Sequence, residues 1–220
     1  MNETTEILAF LTGKAQSFAR GEHSAIAKCP KEGAVKIGYL GIEGDEQADL
    51  NVHGGSDKAL HHYPFDHYPR WSANAPNAAL LSAPGAFGEN ISTFGLREDE
   101  VCIGDQFRIG TALVEISQGR QPCWKQAVHL GWNILPTLMV KERRSGWYYR
   151  VLEEGGAQAG DLLELIDRPL PDWTVARVFG LLIAGDHKQD PFALRALSAM
   201  DVLFVGWRAR AADLCAQEGL

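Results

Sequence analysis

No run of apolar residues approaches the ~18 that a membrane-crossing helix needs, and no tract is rich in lysine or arginine. The opening Met1-Asn2-Glu3-Thr4-Thr5-Glu6 is acidic and lacks the basic start of a secretory leader. A membrane or secreted protein is therefore not expected, and the cytoplasm is the expected compartment. Cysteine is scarce and scattered. Cys29, Cys102, Cys123 and Cys215 form no C-x-x-C pair, which argues against a structural zinc site and, in a reducing compartment, against a disulfide framework. A G-x-x-x-x-G-K-[ST] phosphate loop is missing, as are the signatures of flavin, haem and iron–sulfur binding.

The chain that remains is ordinary in bulk. Its 220 residues suit one large domain, or one domain with an appendage, and 45% apolar against 22% charged residues argues against disorder. Lys and Arg number 21 against 28 Asp and Glu, a net charge of −7, which suits neither nucleic acid nor an anionic membrane as partner.

Two textures follow one another. Up to about Ile166 the pattern favours short strands and glycine-rich turns, with strands expected over 6–11, 24–28 and 35–40. The clearest pair is 105–109 and 112–117, where Phe107 and Ile109, then Val114 and Ile116, alternate with polar residues. Gly110-Thr111 between them suits a two-residue hairpin. Helical pieces are expected over 58–62, 66–71 and 136–144. After Asp167 the stiff Arg168-Pro169-Leu170-Pro171 leads into three helix-sized segments, 174–184, 191–198 and 202–216. The expected class is α+β, with one domain over 1–167 and a three-helix domain over 172–220. In that tail Arg177, Lys188, Arg195, Arg208 and Arg210 are matched by Asp186, Asp190, Asp201, Asp213 and Glu218. A docking or homodimerising bundle suits it better than a phosphate-gripping one.

Charge gathers elsewhere. Between Gly119 and Arg150, six cations face one carboxylate, Glu142, a local +5. Arg120 and Lys125 flank Cys123, and such neighbours can bring a thiol pKa from ~8.5 into the range ~3.5–7.5. The same cations could bind phosphate. Cys102, between Val101 and Ile103, reads as core. A second cluster, His53-Gly54-Gly55-Ser56-Asp57-Lys58, could bring backbone N–H groups to an anion, or could be a tight loop with Asp57 as a helix cap. A third, Phe87-Gly88-Glu89-Asn90, could bond a heterocycle edge or organise its own turn. His61, His62 and His67 lack metal-ligand spacing and read as part of an aromatic cluster with Tyr63, Phe65, Tyr68 and Trp71.

Together, Gly41-Ile42-Glu43-Gly44-Asp45-Glu46-Gln47-Ala48-Asp49, the 53–58 loop, Phe87-Gly88-Glu89-Asn90-Ile91 and Arg120-Gln121-Pro122-Cys123 resemble the MOSC domain. That family is named for the C-terminal domain of molybdenum cofactor sulfurases. The helical tail after Pro171 is similar to the bacterial YiiM type within it, and Gly119 departs from that pattern, which places proline there. The resemblance implies a β-barrel-like fold and bound molybdenum cofactor, and pyridoxal phosphate binding is also attached to the family at large. It implies Cys123 as thiolate ligand to molybdenum and His53, Asp57 and Glu89 as groups for proton transfer. Gly54, Gly55, Ser56, Lys58, Gly88, Asn90, Arg120, Lys125 and Arg144 would line the cofactor pocket, and Trp147, Tyr149 and Arg150 would stand at its far wall. The implied activity is reduction of N-hydroxylated compounds such as 6-hydroxylaminopurine, with electrons from a separate flavoprotein or ferredoxin. The alternative is a carrier of cofactor or sulfur without turnover.

Overall fold

The computed structural model describes residues 4–48 and 54–220. Seven strands form a closed barrel: β1 (Thr4–Thr12), β2 (Leu60–His62), β3 (Ile91–Thr93), β4 (Gln106–Ile109), β5 (Ala112–Gly119), β6 (Trp147–Glu153) and β7 (Leu162–Asp167). Around the barrel they run β7-β4-β5-β6-β2-β3-β1, and β1 returns to β7 with Thr5 opposite Leu163. Closure leaves the main sheet with no free edge along these staves. All neighbours are antiparallel except β2 and β3, which meet at His62 and Ile91.

Alternation explains most of the interior. Across the two-residue loop Gly110-Thr111, Phe107 of β4 pairs with Val114 of β5 and Ile109 with Ala112, and all four are buried, as is Ile116. On β1, a register shift between Ile7 and Ala9 brings both Ile7 and Phe10 into the same apolar cluster, although they are three residues apart. The segment 58–62, expected as helix, is instead a 3-10 turn over Ser56–Lys58 followed by strand β2. Its three residues pair with Tyr149, Tyr148 and Trp147 of β6, a non-local bond set that overrides local periodicity.

Outside the barrel, the described residues form two small sheets, one of Val35–Gly38, Gly41–Ile42 and Gly155–Ala157 and one of Gln16–Ser17 and His23–Ser24, and six α-helices: α1 (Tyr68–Ser72), α2 (Trp124–His129), α3 (Leu135–Glu142), α4 (Val175–Phe179), α5 (Ala193–Ser198) and α6 (Val205–Gln217). Pro136 stands in the first turn of α3, where its missing N–H costs nothing. A π-turn, Gly180–Ala184, continues α4. The last three helices are not a separate core: Val175, Val178, Phe179, Leu194, Leu197 and Trp207 belong to the cluster that fills the barrel. Tyr63, Tyr68, Trp71, Phe87 and Trp132 form a second, aromatic cluster beside it. No helix among the described residues is long and apolar enough to cross a membrane.

His62 shows how the barrel handles a polar interior side chain. Its Nδ1 meets the Tyr149 hydroxyl at 3.0 Å and its Nε2 meets Thr93 Oγ1 at 2.9 Å. Burial pushes its pKa down from 6.5 to about 3. The unfolded chain takes up this proton as pH falls below 6.5 while the folded chain does not, so the folded state loses stability on acidification. The contribution is about 1.4 kcal/mol per pH unit. His62→Gln, which keeps hydrogen-bonding atoms but cannot titrate, should flatten the pH dependence of urea unfolding between about pH 6 and pH 4 by that slope. An unchanged slope would mean that the native imidazole takes a proton.

Candidate functional site

The barrel strand β5 ends at Gly119, and the chain then runs through Arg120-Gln121-Pro122 to Cys123, which caps α2. Gly119 has a packing reason: a β-carbon there would stand 3.0 Å from Trp207 Cη2 and 3.3 Å from Val175 Cγ1. The indole of α6 thus packs against the backbone just before Arg120. The Cys123 sulfur accepts the backbone N–H of Gln126, and the Gln126 amide oxygen returns a bond to the Cys123 N–H at 3.4 Å. Arg120 Nη2 donates toward Cys123 Sγ at 3.7 Å.

Arg120 is buried, and its Nε finds no hydrogen-bond partner. Burial opposes its charge, but Tyr148 and the cysteine sulfur outweigh that, and its pKa stands above the ordinary arginine value. Tyr148 is raised by burial, with Arg120 pulling the other way. His61, on β2, is fully desolvated and lies beside Arg120; both effects hold its pKa well below the usual imidazole value. Its Nε2 is likewise buried without a partner. The two residues that carry these unpartnered nitrogens, 59 positions apart in the chain, line one cleft with Cys123, Lys58, Lys125 and Tyr148.

The remaining expected site residues divide. Lys58, Gly88, Asn90, Arg120, Cys123 and Lys125 line the cleft. Lys58 Nζ lies 4.7 Å from the centre of the Phe204 ring. Lys125 Nζ donates to His23 O at 2.8 Å and pairs with Glu22 at 3.1 Å, so its charge is shared with the loop over the cleft. Asn90 is engaged structurally, donating to Asp45 at 2.8 Å and to Leu11 O at 3.2 Å.

Others face elsewhere. Gly54, Gly55 and Ser56 do not line the cleft. Asp57 receives Arg150 Nε at 2.6 Å, at the seam between barrel and tail. Glu89 is fully buried and accepts from the Tyr68 hydroxyl and from the N–H groups of Gly85 and Phe87. It organises its own turn, and burial raises its pKa. Arg144 lies near Glu142, at 3.7 Å, on a different surface hollow. Trp147 and Tyr149 belong to the barrel core, and Arg150 binds Asp57 and Glu115. His53 lies outside the described residues. Cys102 is buried; burial, then Asp105, pushes its thiol up to about 11.

Among the lining residues that sequence reasoning missed are Lys28, His61 and Tyr148. Lys28 forms a buried ion pair with Asp45; desolvation nevertheless leaves its pKa lowered. A lysine closing an apolar stretch, and a tyrosine between two inward aromatic residues on β6, were the available signals. Among the described residues no group of three His, Cys, Asp or Glu side chains is placed to hold a metal ion. A metal in this cleft would need ligands of its own besides one thiolate.

A family model described as the MOSC domain matches residues 49–164. Protein YiiM of Escherichia coli (strain K12) is 46% identical over 157 residues, covering 71% of this chain and 70% of that protein. A protein named Reductase from Gibberella moniliformis is 39% identical over 156 residues, 70% of this chain but 28% of its own length. The crystal structure of YiiM from Geobacillus stearothermophilus superposes with a TM-score of 0.79 at 31% identity, covering 96% of this chain and 99% of that one.

Proposed function

The chain belongs to the MOSC-domain family, and from that premise we propose that it is a molybdenum-cofactor-dependent reductase of N-hydroxylated compounds such as 6-hydroxylaminopurine. The observation that carries this is the half-buried Cys123 sulfur facing the Arg120 guanidinium at 3.7 Å, in a cleft that Lys58, His61, Lys125 and Tyr148 also line. The donor set among the described residues fits a metal that arrives with other ligands: one soft thiol, no protein cluster to complete a coordination sphere, and two buried nitrogens in need of partners. The similarity to a protein named Reductase points the same way.

When bound, the cofactor supplies a two-electron couple suited to breaking an N–O bond. The overall change consumes two electrons and two protons and yields an amine and water. Cys123 would hold the metal, and Arg120, whose Nη2 points at the sulfur, would stabilise the thiolate and the cofactor's negative charge. Lys58 and Lys125 would face its phosphate. Asp57 faces Arg150, Glu89 faces Tyr68, and burial and Arg120 hold the His61 imidazole in its neutral form, so we assign proton delivery to none of the three. Tyr148 keeps its proton and can donate a hydrogen bond to the oxygen leaving nitrogen. Electrons would come from a separate flavoprotein or ferredoxin.

The protein purified from a host with an intact cofactor pathway should carry close to one molybdenum per chain. It should also reduce hydroxylaminopurine with an artificial low-potential donor. Exchangeable cofactor without reduction would make it a carrier. Neither metal nor turnover would overturn the proposal.

A further inference from the structure

Arg120 is held at its side chain by few groups: Tyr148 hydrogen-bonds to it, Nη1 meets Gln121 O at 3.4 Å, Nη2 meets the cysteine sulfur at 3.7 Å, and Nε has no partner. Its backbone is held far more firmly. The Arg120 N–H donates to Gly146 O at 2.9 Å, and the Ser145 hydroxyl donates to Arg120 O at 2.5 Å. The Ser145-Gly146 turn therefore grips both polar groups of the Arg120 peptide backbone. Gly146 sits at φ +73 with no room for a β-carbon, which would fall 2.2 Å from His62 O.

One carboxylate holds that turn. Glu98, 4% exposed in the loop after β3, accepts the Ser145 N–H at 2.8 Å and the Gly146 N–H at 2.7 Å on a single oxygen. Its other oxygen meets His67 Nε2 at 2.7 Å, and its carbonyl accepts the Ala176 N–H at 2.8 Å. Glu98 is thereby fixed from α1's flank and from α4, and passes that fixity to Arg120 without touching the cleft.

We propose that Glu98 is a positioning residue for the Arg120 guanidinium, acting through the Ser145-Gly146 turn that clasps the Arg120 backbone. The inference rests on reading Arg120 and Cys123 as the centre of the site. A guanidinium seated beside Sγ attracts an anionic reagent more than a neutral one, so the ratio of iodoacetate to iodoacetamide alkylation rates at Cys123 reports its position.

The experiment uses the full chain carrying Cys29→Ser, purified from a host without the cofactor pathway. Cys102 and Cys215 are buried. Glu98→Ala should lower the ratio on the order of fivefold, toward the value of Arg120→Met. Glu98→Gln, which keeps an oxygen for the two N–H groups, should retain the parent ratio. If Glu98 merely caps a turn, Glu98→Ala changes both rates together and leaves the ratio intact, and the proposal falls. Should Glu98→Ala fail to fold, Ser145→Ala removes one clasp and should lower the ratio about twofold; an unchanged ratio there is equally fatal. Neither rate involves the cofactor. A failure here would leave the reductase reading standing, and molybdenum-free wild-type protein would leave this measurement standing.

Discussion

Cys123→Ala is expected to lose bound molybdenum and N-hydroxylated-base reduction together, while the fold survives. The argument is one of unequal roles. In the fold, the sulfur contributes a weak cap to a six-residue helix, and removing a cap costs about 1 kcal/mol. For a chain of this length that lowers the melting temperature by about 3 °C. In the proposed site it is, among the described residues, the one soft donor on the cleft wall, and no group of carboxylates and imidazoles among them completes a substitute ligand set. Metal analysis, turnover with an artificial donor and a thermal scan on the same preparation check this. A variant that keeps its molybdenum would remove the thiolate from its assigned place. One that loses both metal and fold would show that the sulfur's structural part has been underestimated.

Much of the architecture is legible in the sequence because it is local. The Gly110-Thr111 hairpin, the alternation on β4 and β5, the proline that starts α3 and the apolar faces of the tail are read from neighbours in the chain. Cys123 and Arg120 are legible for the same reason: two residues separate them, and one loop presents both. What stays hidden is set by distant partners. Segment 58–62 becomes a strand because β6 pairs with it. Asp57 is drawn from the loop toward Arg150, 93 residues on, and Glu89 toward Tyr68. A glycine-rich motif signals close packing, but whether its acid faces a ligand or a neighbour depends on barrel closure. Lys28, His61 and Tyr148 reach the cleft from three separate segments, and no short pattern joins them.

Arg150→Met should be the most destabilising conservative change at the seam of barrel and tail. Arg150 bonds Asp57 at 2.6 Å, Glu115 at 2.6 Å and the Val202 carbonyl at 2.9 Å, so one guanidinium ties the glycine-rich loop, strand β5 and the segment before α6. Methionine keeps the hydrocarbon stem but leaves two carboxylates, with side chains 29% and 12% exposed, facing a site without its cation. Breaking such a group costs about 3 kcal/mol, or roughly 6–12 °C in melting temperature for a chain of this size. Asp57→Asn alone should cost less, about 1 kcal/mol, and combining the two should cost less than their sum, because each removes the same contact. The cycle also decides what Asp57 does. A proton-transfer residue would lose turnover by about a hundredfold or more in Asp57→Asn with the melting temperature unchanged. A residue whose partner is Arg150 loses stability and keeps its turnover, and the Arg150–Asp57 contact makes this second result the expected one.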